Sequence, residues 1–430
     1  MEIDLLLVGI IVASLVLVFL GYAISFALGG TALVYLLVND FPVTVAVQEL
    51  ALSVRNFTML AIPLFMFTGQ LMNASKITDR IFDFANDLVG RIPGGLGHVN
   101  IIASLVFAGM SGSVLADVAG LGAMEVKAMR DKGYDTDFAV GVTLSSAAIG
   151  PILPPSVPMV LFGVIAEVSI TGLFLAGILP GLLIALTLMV YVYFVGKKRG
   201  YYVSEPVGPR LLAISFVKAF PALMTPVIIV GGMTLGIFSP TEAATVAVLY
   251  ALILGFVFYR DLTWQALFAV SRETVLGTSR LMFVIANALL FGWVLTVGEM
   301  PQQAAYWVST TFSSTWAFLL LLNVSLLILG AIIENAILLL ILAPMIVPIA
   351  EETYGLDPLH IGVVMIFNIM IGQFTPPMGM SLFIMRGITG LSLSRISIAV
   401  APFLVPLVTA LFIMTYVPQV VLFVPRALGF

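Results

Sequence analysis

The chain has 430 residues, 61% of them hydrophobic and only 9% charged. Soluble domains carry about 25% charged residues, so the composition excludes that class and places the chain in a membrane. The absence of cysteine excludes disulfide and thiol chemistry, and two histidines, His98 and His360, near segment boundaries leave no histidine cluster for a transition metal. The net charge of −4 says little as a sum, because placement of charge sets orientation, and no nucleic-acid partner is expected.

Taken in chain order, the first apolar stretch, residues 4–20, follows Glu2 and Asp4 rather than a basic segment and lacks a cleavage motif. It therefore reads as a spanning helix and not as a signal peptide. Stretches at 21–38 and 51–73 are also close to the ~20 residues that cross hydrocarbon. Residues 74–91 place Ile77, Ile81, Phe84 and Leu88 opposite Lys76, Asp79, Arg80, Asp83 and Asp87, the pattern of a helix lying along the membrane surface. Residues 98–126 are apolar but have Lys76, Arg80 and Arg91 before them and Lys127, Arg130 and Lys132 after. Both ends then lie on the cytoplasmic side, which predicts a re-entrant hairpin turning at Ser111-Gly112-Ser113.

Residues 138–167 span with a break at Gly150-Pro-Ile-Leu-Pro154-Pro155-Ser, since paired prolines remove donors and clash with the preceding turn. Spans follow at 172–195, 219–238, 241–258 and 281–298, with 263–280 a weaker surface-helix pattern. Residues 316–350 lie between Glu299 and Glu351-Glu352, with no Lys or Arg from Arg280 to Arg386; they predict a second hairpin, entering from outside. A second broken span, 359–386, carries Gly372-Gln-Phe-Thr-Pro376-Pro377-Met, and 397–419 closes the series. Both termini then lie outside, and every one of the eighteen Lys and Arg except Arg55 and Arg426 falls on the cytoplasmic side.

At an offset of 222 residues Gly150 aligns with Gly372, Pro154-Pro155 with Pro376-Pro377, Ser146 with Asn368 and Asp135 with Asp357; nearer the amino terminus the offset is 215, pairing Gly21 with Gly236 and Tyr35 with Tyr250. Equivalent connectors carry opposite charge, Lys127 to Lys132 against Glu351-Glu352. The expected fold is an all-α polytopic membrane protein built as an inverted-topology repeat, residues 1–210 and 211–430, each with one re-entrant helical hairpin and one broken helix.

Unwound backbone at membrane depth persists only where it is buried in protein or lines a cavity, and breaks at matching positions of two halves point to a transporter's site. Freed carbonyls attract cations and half-helix amino termini attract anions. One Na⁺ cage is expected from Ser111, Gly112, Ser113, Ser145, Gly150, Ile152 and Pro154, a second from Gly372, Thr375, Pro376, Glu334 and Asn335. Between them an organic carboxylate would meet Asp117, Ser146, Pro155, Ser156, Asn368 and Pro377, with Arg386 either an anchor or part of the exit. Intramembrane carboxylates are costly and functional by default. Asp117, one turn past Ser113, is expected to face the cavity. Glu242 reads as a first-turn acid favoured by the helix dipole, and Glu125 as interfacial.

Ser-Gly-Ser-Val-Leu-Ala-Asp (111–117), Gly-Pro-Ile-Leu-Pro-Pro-Ser-Val-Pro-Met-Val (150–160), Leu-Phe-Leu-Ala-Gly-Ile-Leu-Pro-Gly (173–181) and Leu-Ala-Pro-Met-Ile-Val-Pro (342–348) resemble the large membrane subunit of tripartite ATP-independent periplasmic (TRAP) transporters over essentially the whole chain. The resemblance implies an elevator-type, Na⁺-driven importer of sialic acids, dicarboxylates or keto acids in the bacterial inner membrane, with the sialic acid branch first. It also implies a separate small four-helix membrane subunit, a soluble periplasmic substrate-binding protein and no organic cofactor. At Glu334 the resemblance would lead one to expect an aspartate. The alternatives are a stand-alone Na⁺/organic anion symporter, a channel, which would suit a continuous polar pore rather than two hairpins, and an intramembrane hydrolase using Asp117 and Glu334, for which no histidine or supporting donor set is present.

Overall fold

The computed structural model describes residues 5–205, 207–312, 314–376 and 379–430, and among these every regular element is helical. Among the described residues seven helical stretches are long and apolar enough to cross a membrane. The first half opens with α1 (Leu5–Phe19), α2 (Ile24–Val38), α3 (Thr44–Arg55), α4 (Ala61–Ala74) and α5 (Ile77–Val89). The span expected at 51–73 is therefore two elements: the Asn56 side chain accepts the Thr58 N–H at 3.0 Å and restarts the chain through a short 3₁₀ turn, so α3 ends there. α5 is a helix over the expected residues, with Ile77, Ile81 and Ala85 buried on one face and Leu88 exposed.

Next come α6 (Gly95–Ser111), α7 (Val114–Gly120) and α8 (Gly122–Asp131), a helix–turn–helix at the expected hairpin, then the interrupted pair α9 (Thr136–Ser146) and α10 (Val157–Ile165), and the long α11 (Ile170–Arg199). The second half has α12 (Pro209–Thr234), α13 (Pro240–Ile253), α14 (Trp264–Val297), α15 (Met300–Thr311), α16 (Thr315–Gly330), α17 (Asn335–Pro348), α18 (Pro358–Gly372), α19 (Met380–Thr389), α20 (Leu393–Tyr416) and α21 (Gln419–Ala427). Residues 263–280 are not a separate surface helix. Thr263 caps Ala266 and the helix continues without a break into the span, because no proline or positive-φ residue interrupts 264–297. Ser239 and Glu242 form a reciprocal capping box at the start of α13, as a first-turn acid should.

Two sets of packed helices can be traced, each drawing on both halves of the sequence and joined to the other where α5 lies against α6 and α14 against α17. In one, α14 lies against α2, α3 and α4, α13 against α4, and α12 against α5 and α13. In the other, α9 lies against α20, α6 and α8, and α18 against α16, α17, α11 and α20. At the centre of the second group α9 and α18 are enclosed: every residue from Phe138 to Ile149 and from Leu359 to Gly372 is buried. Helices apolar all round must be enclosed; the break from Gly150 to Ser156 is enclosed with α9, whereas Thr375 is half-buried and Pro376 exposed after α18.

Because lipid is as apolar as leucine, the helices cannot be held together by the hydrophobic effect alone; close packing and interhelical hydrogen bonds carry the association. One close contact is a glycine pair: a Cβ on Gly372 would lie 2.2 Å from the Gly330 carbonyl carbon. The backbones of α16 and α18 are therefore in direct contact. Arg80 of α5 adds an ion pair with Asp261 at 2.6 Å and lies over the Tyr259 ring, tying the surface helix to the turn after α13.

Candidate ion and substrate site

At the first turn α6 stops at Ser111 because Gly112 takes φ 60°, a left-handed conformation open to glycine and strained for most other residues. A Cβ there would also come within 2.3 Å of the Pro155 carbonyl oxygen. The tip thus lies directly on the unwound stretch between α9 and α10, and the Val157 N–H reaches the Gly112 carbonyl at 3.4 Å. In that stretch the Pro154-Pro155 bond is cis. Ser156 caps α10 by accepting the Met159 N–H at 3.2 Å and donates to the Pro151 carbonyl at 2.5 Å.

The Ser111 hydroxyl donates to Asp117 Oδ1. Asp117 is 2% exposed, and its Oδ2 has no partner. That oxygen lies 2.7 Å from where a Cβ on Gly150 would be. Asp117 is thus behind the tip, beside Gly150 and Ser111, and does not line the cavity as the sequence suggested.

The second turn is built differently. Glu334 has extended geometry and caps α17 by accepting the Ala336 N–H at 3.1 Å, while Asn335 Nδ2 donates to the Met370 sulfur at 3.2 Å. On the second break the carbonyls of Gln373 and Thr375 approach Gly379, whose Cβ would lie 2.4 and 3.1 Å from them. The Thr375 hydroxyl is used within the helix end, on the Ile371 carbonyl at 3.1 Å, and Pro376 is exposed. Pro377 lies outside the described residues.

The two tips and both breaks share one cavity of about 220 Å³, lined by Gly112, Ser113, Pro151, Glu334, Asn335 and Gln373 together with Met370 and, across from them, Ile62 and Met66 of α4 and Leu281 of α14. Glu334 is the only charged side chain on its described wall. A second cavity of about 540 Å³ shares Met66, Ser113 and Leu115 and runs along α4 past Gln70 and Asn73 to Glu273, toward the end of the molecule that carries Lys76 and Arg272.

Other expected residues lie elsewhere. The Ser145 hydroxyl donates to the Gly141 carbonyl of its own helix at 2.7 Å. The Ile152 carbonyl faces α11, 2.0 Å from where a Gly177 Cβ would be, and the Pro154 carbonyl faces Gly109 of α6. Ser146 donates to Asn100 Oδ1 at 2.7 Å and accepts from Ser104 at 3.0 Å, while Asn368 Nδ2 donates to Asn323 Oδ1 at 2.7 Å. Both join helices rather than line the cavity. Arg386 is exposed in the last turn of α19, outside the walls of the cavity. Glu125, expected at the interface, is 1% exposed. Pro151, Met370 and Gln373 line the cavity without having been singled out; Gln373, the polar residue beside Gly372 in the break, was the available signal.

A family model described as the tripartite ATP-independent periplasmic transporter, DctM component, matches residues 11–420. The chain is 46% identical over 421 residues to the sialic acid TRAP transporter large permease protein SiaM of Vibrio cholerae, covering 98% of each. It is 41% identical to the sialic acid TRAP transporter permease protein SiaT of Haemophilus influenzae, covering 96% of this chain and 67% of that one. It is 39% identical to the C4-dicarboxylate TRAP transporter large permease protein DctM of Pseudomonas aeruginosa, covering 94% of each. Among solved structures the fold is similar to the YdaH transporter of Alcanivorax borkumensis (TM-score 0.62, 12% identity, 85% of this chain and 86% of that one). It is similar also to MtrF of Neisseria gonorrhoeae (TM-score 0.57, 13% identity, 87% and 83%).

Proposed function

Because the chain belongs to the DctM component of the tripartite ATP-independent periplasmic transporters, we propose that it carries a sialic acid inward across the bacterial inner membrane, driven by Na⁺, with a C4-dicarboxylate as the second substrate reading. As a member of that family it is a multi-pass secondary transporter component and not an enzyme, and it works with a small membrane subunit and a periplasmic binding protein.

The observation that carries the ion coupling is the charge of the shared cavity. Its described wall holds Glu334 and no Lys, Arg or His. An organic anion entering this space finds no protein cation, and burying an unpaired charge is strongly unfavourable. A co-transported cation supplies the missing charge. Na⁺ suits oxygen donors, and the first cage draws them from Ser111, Ser113, Gly150 and Pro155 at the tip and break, with Asp117 beside them. The second uses the Glu334-Asn335 tip and the Gln373 to Thr375 carbonyls. Each ion is cargo, and each offsets the substrate's charge.

Both hairpins belong to one helix group while α4 and α14 of the other form the opposite wall, which supports an elevator movement of the first group along the second, with the hairpins re-entrant and both termini outside. The cavity continuing to Asn73 and Glu273 supports an inward-facing state.

The test is uptake into proteoliposomes holding the complete membrane complex, with the binding protein outside. A sialic acid should enter only with an inward Na⁺ gradient, and Ser113→Ala should weaken the Na⁺ dependence at least tenfold. Ohmic flux, or uptake indifferent to Na⁺, overturns the coupling. Preference for a C4-dicarboxylate over a sialic acid retires the substrate assignment alone.

A further inference from the structure

The return arm of the first hairpin carries a second buried carboxylate that the ion and substrate site leaves unused. Glu125 of α8 is 1% exposed, and its Oε1 has no hydrogen-bond partner. It faces a closed set of polar side chains on α6 and α9. Asn100 Nδ2 donates to Thr143 Oγ1 at 2.7 Å, Ser146 donates to Asn100 Oδ1 at 2.7 Å, and Ser104 donates to Ser146 at 3.0 Å. Asn100 is also the neutral polar side chain that bears on the Glu125 carboxyl. All four partners are at most 2% exposed, so water does not serve the orphaned oxygen.

Among the described residues no positive group offsets this carboxyl. The elements packed against α8 are α6, α7, α9 and α19, and their titratable or charged side chains are His98, Asp117, Asp137 and Arg386. His98 is held at the Pro93 carbonyl at 3.0 Å, Asp137 is paired with Arg395 at 2.8 Å, and Arg386 is exposed. Asp117 alone bears on Glu125, and it does so as a like charge. On α8 itself, Lys127, Arg130 and Asp131 line a cavity of about 320 Å³ and do not meet the carboxyl. A carboxylate buried beside a like charge, with one oxygen unpaired, is far costlier than the neutral acid.

We propose that Glu125 is a proton-binding site of the first hairpin, filled in this conformation, and that loss of the proton frees α8 from α6 and α9. The proton on the carboxyl removes the charge, so the neutral acid can stay packed against Asn100, Thr143 and Ser146, and the return arm, the outgoing arm and the broken helix stay together as one body. When the O–H bond breaks the proton passes to water and the electron pair stays on the carboxylate. The ion then has one unpaired oxygen, and its hydration requires the three helices to part.

Two measurements on the complete membrane complex decide this. In infrared spectra Glu125→Gln should remove one un-ionised carboxylic acid C=O band at neutral pH. That readout requires no transport, so its outcome is independent of whether the Na⁺-coupled reading stands. In proteoliposomes, wild-type transport should fall at least threefold on the alkaline side of its pH profile. Glu125→Gln, a permanently neutral isostere, should keep its neutral-pH rate and lose that fall. Equal melting temperatures of the two proteins at neutral pH show that the variant is folded. Failure of Glu125→Gln to remove a protonated-acid band, or an unchanged alkaline limb in the variant, overturns the proposal.

Discussion

The two halves of the chain solve the same packing problem with different chemistry at the tips. Asn100 of α6 joins Thr143 and Ser146 of α9, and Asn323 of α16 joins Asn368 of α18 and Thr415 of α20. In each half an asparagine near the middle of the outgoing arm fastens it to the unbroken part of the interrupted helix. Asp135 and Asp357 stand at equivalent helix starts, and each pairs with an arginine from a later helix, Arg199 and Arg426. The tips differ: the first is a left-handed glycine with serine on both sides, the second a glutamate cap. The return arms differ more, with Asp117 and Glu125 buried in the first where an offset of 222 puts Leu339 and Val347 in the second. What joins helix to helix is repeated, while the charge next to the cavity is not, so the two ion sites need not be equal partners.

The largest effect expected is at the glycines of the two breaks. A Cβ on Gly372 meets the Gly330 backbone at 2.2 Å, whereas one on Gly150 first meets the Asp117 carboxylate at 2.7 Å. A side chain can turn aside and a helix backbone must shift, so Gly372→Ala should cost about 3 kcal/mol, the upper end of overpacking penalties, and Gly150→Ala about 1. Melting temperatures in detergent would measure both; a larger loss from Gly150→Ala breaks the comparison.

A smaller difference separates the two asparagines. Removing one partner of a buried hydrogen bond costs about 1–3 kcal/mol. Asn100→Ala takes away the Thr143 hydroxyl's bond and opens space beside Glu125, while after Asn323→Ala the Asn368 amide keeps the residue 323 carbonyl and Thr415 the Leu411 carbonyl, so the first should destabilise more. Equal shifts in the melting temperature would show that Glu125 gains nothing from Asn100.

The smallest effect concerns the exposed helix starts. Hydrogen bonds from the Tyr201 hydroxyl and from Arg199 hold the Asp135 carboxyl below the usual carboxylate range, while burial pushes the Tyr201 phenol up to about 12. A depressed folded value means that the stabilisation is present above Asp135's unfolded value and lost as pH falls through the folded one. The pair is largely exposed, so its contribution should stay under about 1 kcal/mol. Thermal stability followed downward through the acid range should lose that part in the wild type and not in Asp135→Asn; identical acid limbs would remove the pair from the account.

Most of the helical order was legible from sequence because membrane segments announce themselves by length and apolarity, and proline and glycine mark where backbone hydrogen bonds must stop. The turns at Gly112 and Glu334 and the breaks beginning at Gly150 and after Gly372 were readable for that reason. α3, α15 and α21 were not: twelve, twelve and nine residues long, they fall below spanning length. The site was only partly legible. Ser113, Glu334 and Asn335 reach the cavity, but Ser145, Ser146, Asn368 and Asp117 have the same polarity and similar positions and point elsewhere.

By itself the sequence determined that this protein lives in the membrane, where its helices break, and that its two halves carry matched breaks with opposite flanking charge, since these follow from composition and local backbone chemistry. The tertiary structure alone decided which polar groups share a cavity and which fasten helices together. A one-residue step along a helix turns a side chain by about 100°, and only the packing of α9 and α18 against their neighbours selects the face that is left open. The same packing sealed Glu125 away from water, a burial that its position in the sequence did not announce.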